Sequence, residues 1–411
     1  MRNPVFISIL LFILIAINFY TFQVIKHLLQ GSGQGLRTGI SIAYWVLCLV
    51  CLGSFILFPY NSNPYFRQYV FSISMGWMFT QLIMALIFLI DDIRRGTFWT
   101  LGKITSYTGA QFINTENGIP RSTFLSWLGV GMASSLFFSL IYGFGNKYNY
   151  RVIKKNIALN GLPSAFKGFK IIHISDIHSG SLQDKAAVQK GIDLINKQNA
   201  DLVLFTGDLV NDKATEMQHW MDVFNQIKAP HGVYSTLGNH DYGDYVAWES
   251  KQAKQQNLQD LKQVHANLGW RLLMNENVKI EKEGAYFYLV GIENWGAKAR
   301  FPKYGKLDIA MQGVHDKDPI ILMSHDPSHW EAQVIKEYPQ IQLMLAGHTH
   351  GMQFGLENPY FKWSPVQWVY KQWAGIYKTG AQQLYVNRGF GFLGYPGRVG
   401  ILPEITLIEL S

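Results

Sequence analysis

Five short blocks place aspartate, asparagine and histidine directly behind apolar runs. Asp176 and His178 close "IIHISDIH", Asp208 closes "LVLFTGD", and Asn239, His240 and Asp241 close "VYSTLGNHD". His325 closes "IILMSH", and His348 and His350 lie in "LMLAGHTHG". Carboxylate oxygen, amide carbonyl and imidazole nitrogen are ligands of borderline and hard divalent cations. A polar strand end meeting solvent explains any one block, but not five in a row. Seven such groups (Asp176, His178, Asp208, Asn239, His325, His348 and His350) are too many for one ion. They suit two ions sharing a carboxylate. Glycines at 207, 238, 347 and 351 let the backbone turn sharply enough to aim these side chains back at a common point.

The elements that must position them follow from the apolar pattern. Strands are predicted at 151–158, 169–174, 202–205, 233–236, 271–274, 286–290, 320–323, 343–345, 384–386 and 405–410. Apolar residues at helical spacing predict helices at 183–198 and 217–227, and a longer polar helix at 246–268. The alternation argues for an α/β domain, and so many strands suggest two packed sheets. In such sheets ligands collect outside the carboxyl ends of the strands, where all five blocks fall.

The first third of the chain reads differently. Four nearly uncharged stretches, 4–25, 39–58, 69–90 and 123–144, are each about 20 residues, the length of a membrane-crossing helix. Asp91 and Asp92 are expected to end the third. Trp45, Trp77, Trp99 and Trp127 fall in or near the spans, as interfacial aromatics do. The first stretch lacks a small-residue cleavage pattern and is read as a retained anchor. Domain boundaries are set at 1–148 for the transmembrane region and 149–411 for the α/β domain. Four spans put both termini on one side. The flanking charges tie, with Arg2, Arg67, Lys147, Arg151, Lys154 and Lys155 against Lys26, Arg37, Arg94, Arg95, Lys103 and Arg121. The basic cluster 147–155 favours a cytoplasmic domain on the inner (cell) membrane, and it suits contact with anionic headgroups. Cys48 and Cys51, the two cysteines, both lie in the second span, which excludes a disulfide framework and a thiolate metal site in the α/β part. The net charge of +8 fits a membrane-surface protein, and no nucleic-acid motif accompanies it. The spans carry no mid-membrane charge, which argues against a transporter.

Taken in order, Asp-x-His, Gly-Asp, Gly-Asn-His-Asp, a lone His and Gly-His-x-His resemble the calcineurin-like metallophosphoesterase family, from about residue 169 to the C-terminus. The run "LYVNRGFGFLGYPGRVGILPEITLIEL" resembles the membrane-associated branch that includes UDP-diacylglucosamine pyrophosphatases. The resemblance implies a two-layer β-sandwich flanked by helices. It implies that Asp176, His178, Asp208 and His350 hold one ion, that Asp208, Asn239, His325 and His348 hold the other, and that Asp208 bridges. It implies that His240 contacts the phosphoryl oxygen or protonates the leaving group. The implied reaction is hydrolysis of a phosphodiester or pyrophosphate by a metal-activated hydroxide, with Mn²⁺ favoured and Fe or Zn²⁺ also suitable. The expected partners are the bilayer and a phosphorylated, lipid-linked substrate, with no nucleic acid. Competing readings are a hydrolase of another phospholipid or of a soluble phosphoester, and a non-catalytic membrane scaffold that keeps the fold.

The chain departs from the family at Asn211, where a carboxylate commonly orients the catalytic histidine. Either Asp212 substitutes or an amide does the work. Met352 stands where related sequences often carry a second glycine. Arg388 and Arg398, among glycines, are candidates to clamp a phosphate by paired hydrogen bonds. Asn294 and Trp295 are expected at the pocket border. His173 is expected to be a hydrogen-bonded core residue, and His231, His315 and His329 surface or turn residues. "FKWSPVQWVYKQW" at 361–373 suits either a membrane interface or a flap packed on the sandwich.

Overall fold

Long runs of Ile, Leu, Phe and Val offer a lipid-embedded backbone no partner but itself, and helices are the outcome. The structure, a computed structural model, describes residues 4–58, 60, 61, 63, 65–108, 121–298, 301 and 303–411. Arg2, counted among the flanking charges, lies outside them. The chain divides into two units, Met1–Tyr142 and Gly143–Ser411.

The first unit holds α1 (Pro4–Leu28), α2 (Gln34–Leu57), α3 (Phe71–Thr108) and α4 (Arg121–Gly143). Among the described residues, four helices are long and apolar enough to cross a membrane. Asp91 and Asp92 do not end the third helix, which runs on through both. Arg94 pairs with Asp91 at 2.9 Å and Arg95 with Asp92 at 2.5 Å, each one turn on, so the charges satisfy one another along the helix. Between α1, α2 and α3 lies a buried polar contact. The Thr21 hydroxyl donates to Gln81 Oε1 at 2.6 Å, and the Tyr44 hydroxyl donates to the Asn18 carbonyl at 2.6 Å. Such bonds hold helices together where lipid gives no hydrophobic drive.

Among the described residues the second unit carries fourteen strands: β1 (Arg151–Ile157), β2 (Lys170–Ile174), β3 (Leu202–Phe205), β4 (Val233–Ser235), β5 (Trp270–Leu272), β6 (Glu276–Lys282), β7 (Ala285–Gly291), β8 (Ile320–Met323), β9 (Leu343–Ala346), β10 (Leu356–Glu357), β11 (Lys362–Trp363), β12 (Gly375–Thr379), β13 (Gln382–Val386) and β14 (Glu404–Leu410). One six-stranded sheet runs β1-β14-β2-β3-β4-β5, a second runs β12-β13-β9-β8-β7-β6, and β10 pairs with β11 alone. Both large sheets are mixed. β2 through β5 are parallel, as are β7, β8, β9 and β13, with antiparallel partners outside them.

Period-two alternation sorts the side chains. Ile171, Leu202 and Leu204 share a core with Phe287, Leu289, Ile321, Met323, Leu343 and Leu345 of the other sheet. Their neighbours Ile172, Ile174, Val203 and Phe205 point the other way, onto Val188, Ile192 and Ile195 of α5 (Lys185–Asn196). Tyr288, Val290, Leu322 and Met344 do the same on the second sheet, against Trp330 and Val334. The expected α/β architecture of two packed sheets flanked by helices is the one observed.

Three local readings change. The predicted helix 217–227 shrinks to α6 (Met221–Phe224) behind a single 3-10 turn, because its apolar spacing reflects burial of Met217, Trp220, Phe224 and Ile227 rather than a continuous helix. The polar helix starts late, as α7 (Lys251–Asn267), where the Ser250 side chain caps it by accepting from Ala253 N–H. β6 and β12 were not foreseen. Both are edge strands with polar, partly exposed residues.

Candidate metal centre

All five polar blocks leave the carboxyl ends of neighbouring strands. β2, β3 and β4 deliver Asp176, His178, Asp208, Asn239 and His240 from one sheet, and β8 and β9 deliver His325, His348 and His350 from the other. The turns are severe. Asp176, His178, Asp208, His348 and His350 all have φ between 49° and 71°. They are half of the ten non-glycine residues at positive φ among the described residues. Side chains other than glycine avoid this region, so its concentration here marks a backbone held against its preference. Gly238 is required for close approach, since a Cβ there would lie 2.2 Å from Asp208 Oδ1.

The seven groups converge in two sets. Ligand atoms of Asp176, His178 and His350 lie within 4.8 Å of one another, as do those of Asp208, His325 and His348. His350 Nε2 is 3.2 Å from Asp176 Oδ1 and 3.1 Å from His178 Nε2. His348 Nδ1 is 2.8 Å from Asn239 Oδ1 and 3.3 Å from His325 Nε2. Asp208 Oδ2 joins the sets, at 3.5 Å from His178 Nε2 and 3.1 Å from His325 Nε2.

Outer contacts fix which atoms face inward. His325 Nδ1–H donates to the Thr206 carbonyl at 2.7 Å, which turns Nε2 toward Asp208. Asn239 Nδ2 donates to the Tyr245 hydroxyl at 2.8 Å, which turns Oδ1 toward His348. His348 Nε2 meets the Tyr370 hydroxyl at 2.9 Å, with Asp326 Oδ2 at 3.7 Å behind. Tyr245 escaped the sequence reading because it lies outside the motifs, on a loop, and Tyr370 was legible only as part of the aromatic segment 361–373.

The electrostatics call for positive charge. Burial works against ionisation of Asp176 and Asp208, yet the adjoining imidazoles (His350 for the first, His325 for the second) hold both carboxyls below the usual range. Burial pushes His178 down to about 3 and lowers His348. His325 goes the other way. Burial opposes its protonation, but the Asp208 carboxylate lifts it to about 10. Carboxylates, an amide oxygen and the imidazoles of His178 and His348 thus crowd a buried space that cations would favour. This donor set fits two divalent ions.

His240 sits beside this cluster, its ring 4.9 Å from that of His178 and 4.5 Å from that of Tyr245. Its Nδ1–H donates to the Asn211 backbone carbonyl at 2.8 Å. Neither expected orienting group, the Asp212 carboxylate or an amide side chain, makes that bond. Asp241 accepts backbone N–H groups from Asp208, Leu209 and Gly238 at 2.8 Å each, clamping two of the turns together.

The two arginines have partners within the fold. Arg388 is buried and pairs with Glu404 at 2.5 Å and with Glu357. Arg398 is fully buried and donates to the carbonyls of Arg388, Gly389 and Gly391. Both guanidiniums are engaged inside the fold rather than offered to a phosphate. His329 is also not at the surface. It is buried, with Ser324 at 3.0 Å and Gln333 at 2.9 Å, and Trp295 stacks on it at 4.5 Å. His173 is a core residue, 2.9 Å from the Thr206 hydroxyl.

Comparison with known proteins agrees with this geometry. Residues 1–146 match a family described as probable calcineurin-like phosphoesterase, transmembrane domain, and residues 169–352 match calcineurin-like phosphoesterase. A transmembrane protein with metallophosphoesterase domain from Danio rerio is 28% identical over 321 residues, covering 76% of this chain and 68% of that one. The uncharacterized metallophosphoesterase YkuE of Bacillus subtilis is 30% identical, covering 61% of this chain and 82% of its own length. The phosphodiesterase YaeI of Escherichia coli is 27% identical, covering 59% and 82%.

Proposed function

Since the chain belongs to the calcineurin-like metallophosphoesterase family, we propose that it is a membrane-anchored hydrolase of a phosphodiester or pyrophosphate bond in a lipid-linked substrate. UDP-diacylglucosamine is the most concrete candidate. The observation that carries the reading is Asp208 Oδ2, shared between two convergent donor sets. The four apolar helices support a multi-pass membrane protein, in our reading in the cell membrane. The basic residues Lys147, Arg151, Lys154 and Lys155 just after the fourth span support a cytoplasmic catalytic unit.

Asp176, His178, His350 and Asp208 would hold one divalent ion, and Asp208, Asn239, His325 and His348 the other, with Mn²⁺ favoured and Fe or Zn²⁺ as substitutes. Bound there, such ions supply Lewis acidity and a nucleophilic water at neutral pH. The chain's own part in proton movement falls to His240. With Nδ1–H fixed on the Asn211 carbonyl, Nε2 is the atom that gives or takes a proton. In its protonated form it donates to a phosphoryl or leaving oxygen, where a preorganised donor has most effect. The buried left-handed turns keep the ligands from relaxing toward solvent.

The test is hydrolysis of UDP-diacylglucosamine by the detergent-purified full chain, with Mn²⁺, with chelator, and beside Asp208→Asn. The expected result is Mn²⁺-dependent release of UMP, lost in the variant. Turnover of an aryl phosphodiester alone would keep the hydrolase and discard the lipid substrate. Silence on both, with metal bound, would overturn the reading.

A further inference from the structure

The aromatic segment after the metal ligands divides into a root and a tip. Tyr370, Trp373, Ala374 and Ile401 pack together, and Trp373 is 3% exposed. The Ser364 hydroxyl donates to the Gly351 carbonyl at 2.9 Å, and Lys362 Nζ donates inward to Ala374 O at 2.5 Å and to the Tyr377 hydroxyl at 3.0 Å. This anchored root holds the tip out. Leu356 (61% exposed), Tyr360 (98%), Phe361 (53%) and Trp368 (74%) stand in the open, with Met352 and Val369 beside them in sequence and also exposed. A concentration of large apolar groups held in the open by a well-bonded base marks a binding surface, not a frayed loop.

Two observations choose the occupant. The first is position. Residues 143–146 end the fourth candidate span. Arg398 N–H donates to the Gly143 carbonyl at 2.9 Å, and Phe144 packs on Tyr395 at 5.5 Å. The next residue, Val399, accepts from Gly355 N–H at 2.9 Å and bridges to Phe354. One short loop therefore touches both residues 143–144, the first of the second unit, and the start of the apolar hairpin β10–β11. The second is charge. The segment 352–373 contains one acid, Glu357, and it is neutralised by Arg388. Of its two lysines, Lys362 is turned inward and Lys371 is exposed. An outward face of Trp, Tyr, Phe and Leu without unpaired acid, in a chain with four candidate membrane spans, has the chemistry of the acyl–headgroup boundary.

We infer that the hairpin 354–369 inserts its apolar tip into the bilayer that the four spans cross. The inference is independent of the reaction assigned above. It gives the Tyr370 contact with His348 a second meaning, because one loop then reaches from lipid to a ligand of the metal centre.

The test uses the full chain in lipid nanodiscs. Phosphatidylcholine brominated near the headgroup end of its acyl chains is compared with the unbrominated lipid, and the Trp368 signal is taken as wild type minus Trp368→Phe. The expected result is that this signal is blue-shifted and largely lost in brominated lipid, while aqueous iodide leaves it intact. Leu356→Trp in the Trp368→Phe background serves as a second reporter and should behave alike. Quenching by iodide and not by bromine overturns the inference, because the hairpin then lies in water. Quenching by neither also overturns it, because a second copy or another protein then covers the tip.

Discussion

Replacing Tyr370 by phenylalanine removes one hydroxyl and leaves the ring in its cluster with Trp373 and Ile401. That hydroxyl is 2.9 Å from His348 Nε2 and 3.4 Å from Asp326 Oδ2. It holds the imidazole so that Nδ1 faces Asn239 and His325. A hydrogen bond of this kind contributes about 0.5–1.5 kcal/mol net, and tenfold in affinity corresponds to about 1.4 kcal/mol. Tyr370→Phe is therefore expected to weaken Mn²⁺ binding by about 2- to 12-fold, the range expected of outer contacts to a metal ligand at its lower end. The low end applies because Asp326, already 3.7 Å from Nε2, can move in. Adding Asp326→Asn removes that substitute, so the double variant should exceed the sum of the singles in free energy. The assay is Mn²⁺ retained by the full chain after equilibration at fixed free concentrations, with kcat measured at saturating metal. Wild-type kcat at saturation with a raised Mn²⁺ midpoint is the expected pattern. An unchanged midpoint with a lowered melting temperature would refute it and reduce Tyr370 to a packing residue.

His240→Gln should lower kcat by about 10²- to 10⁴-fold while Mn²⁺ content stays at the wild-type level, as metal analysis beside turnover would read. Gly238→Ala puts a Cβ 2.2 Å from Asp208 Oδ1 and 2.7 Å from Asp208 N, so the turn must shift. It should cost about 1–3 kcal/mol of stability and lower Mn²⁺ content, seen in thermal melts and metal analysis. Asp212→Asn should act on stability in one pH window only. Burial pushes the Asp212 carboxyl up to about 6, so its stabilising protonation is complete at low pH and is lost as pH rises toward and through 6. The variant should melt about 2–4 °C higher at pH 7.5 and no higher at pH 4. This corresponds to about 1 kcal/mol once the half-exposed position is discounted for solvent screening.

The sheet strands were legible because their residues are buried on both faces, so β3, β8 and β9 appear as unbroken apolar runs. The metal-ligand candidates were legible because each follows such a run by two to five residues, and their order carries the family pattern. What escaped was set by contacts distant in sequence. Nothing in "NRGFGFLGYPGRVG" says that Arg388 meets Glu404 and Glu357, or that Arg398 lies beneath three carbonyls. The group orienting His240 escaped because it is a main-chain carbonyl, which every residue owns. His329 was read as exposed because its partner Gln333 carries no motif. The edge strands β6 and β12 alternate weakly, since they are covered less than the strands inside the sheets.

The candidate metal centre draws its potential ligands from two separate sheets. Asp176, His178, Asp208 and Asn239 follow strands of one, and His325, His348 and His350 follow strands of the other. Elsewhere the sheets meet through an apolar core and a few polar pairs such as Tyr385 with Glu404. At this rim, ions bridging the two would fasten them like a clasp on a book. Metal affinity then becomes mechanical cohesion, adding RT ln(1 + [L]/Kd) to the folded state, about 2.7 kcal/mol at a hundredfold excess over Kd. A chelator would do more than silence turnover. It would let the covers part first at this edge, and amide hydrogens of β2, β3, β8 and β9 would exchange sooner than those at the far end of the same strands.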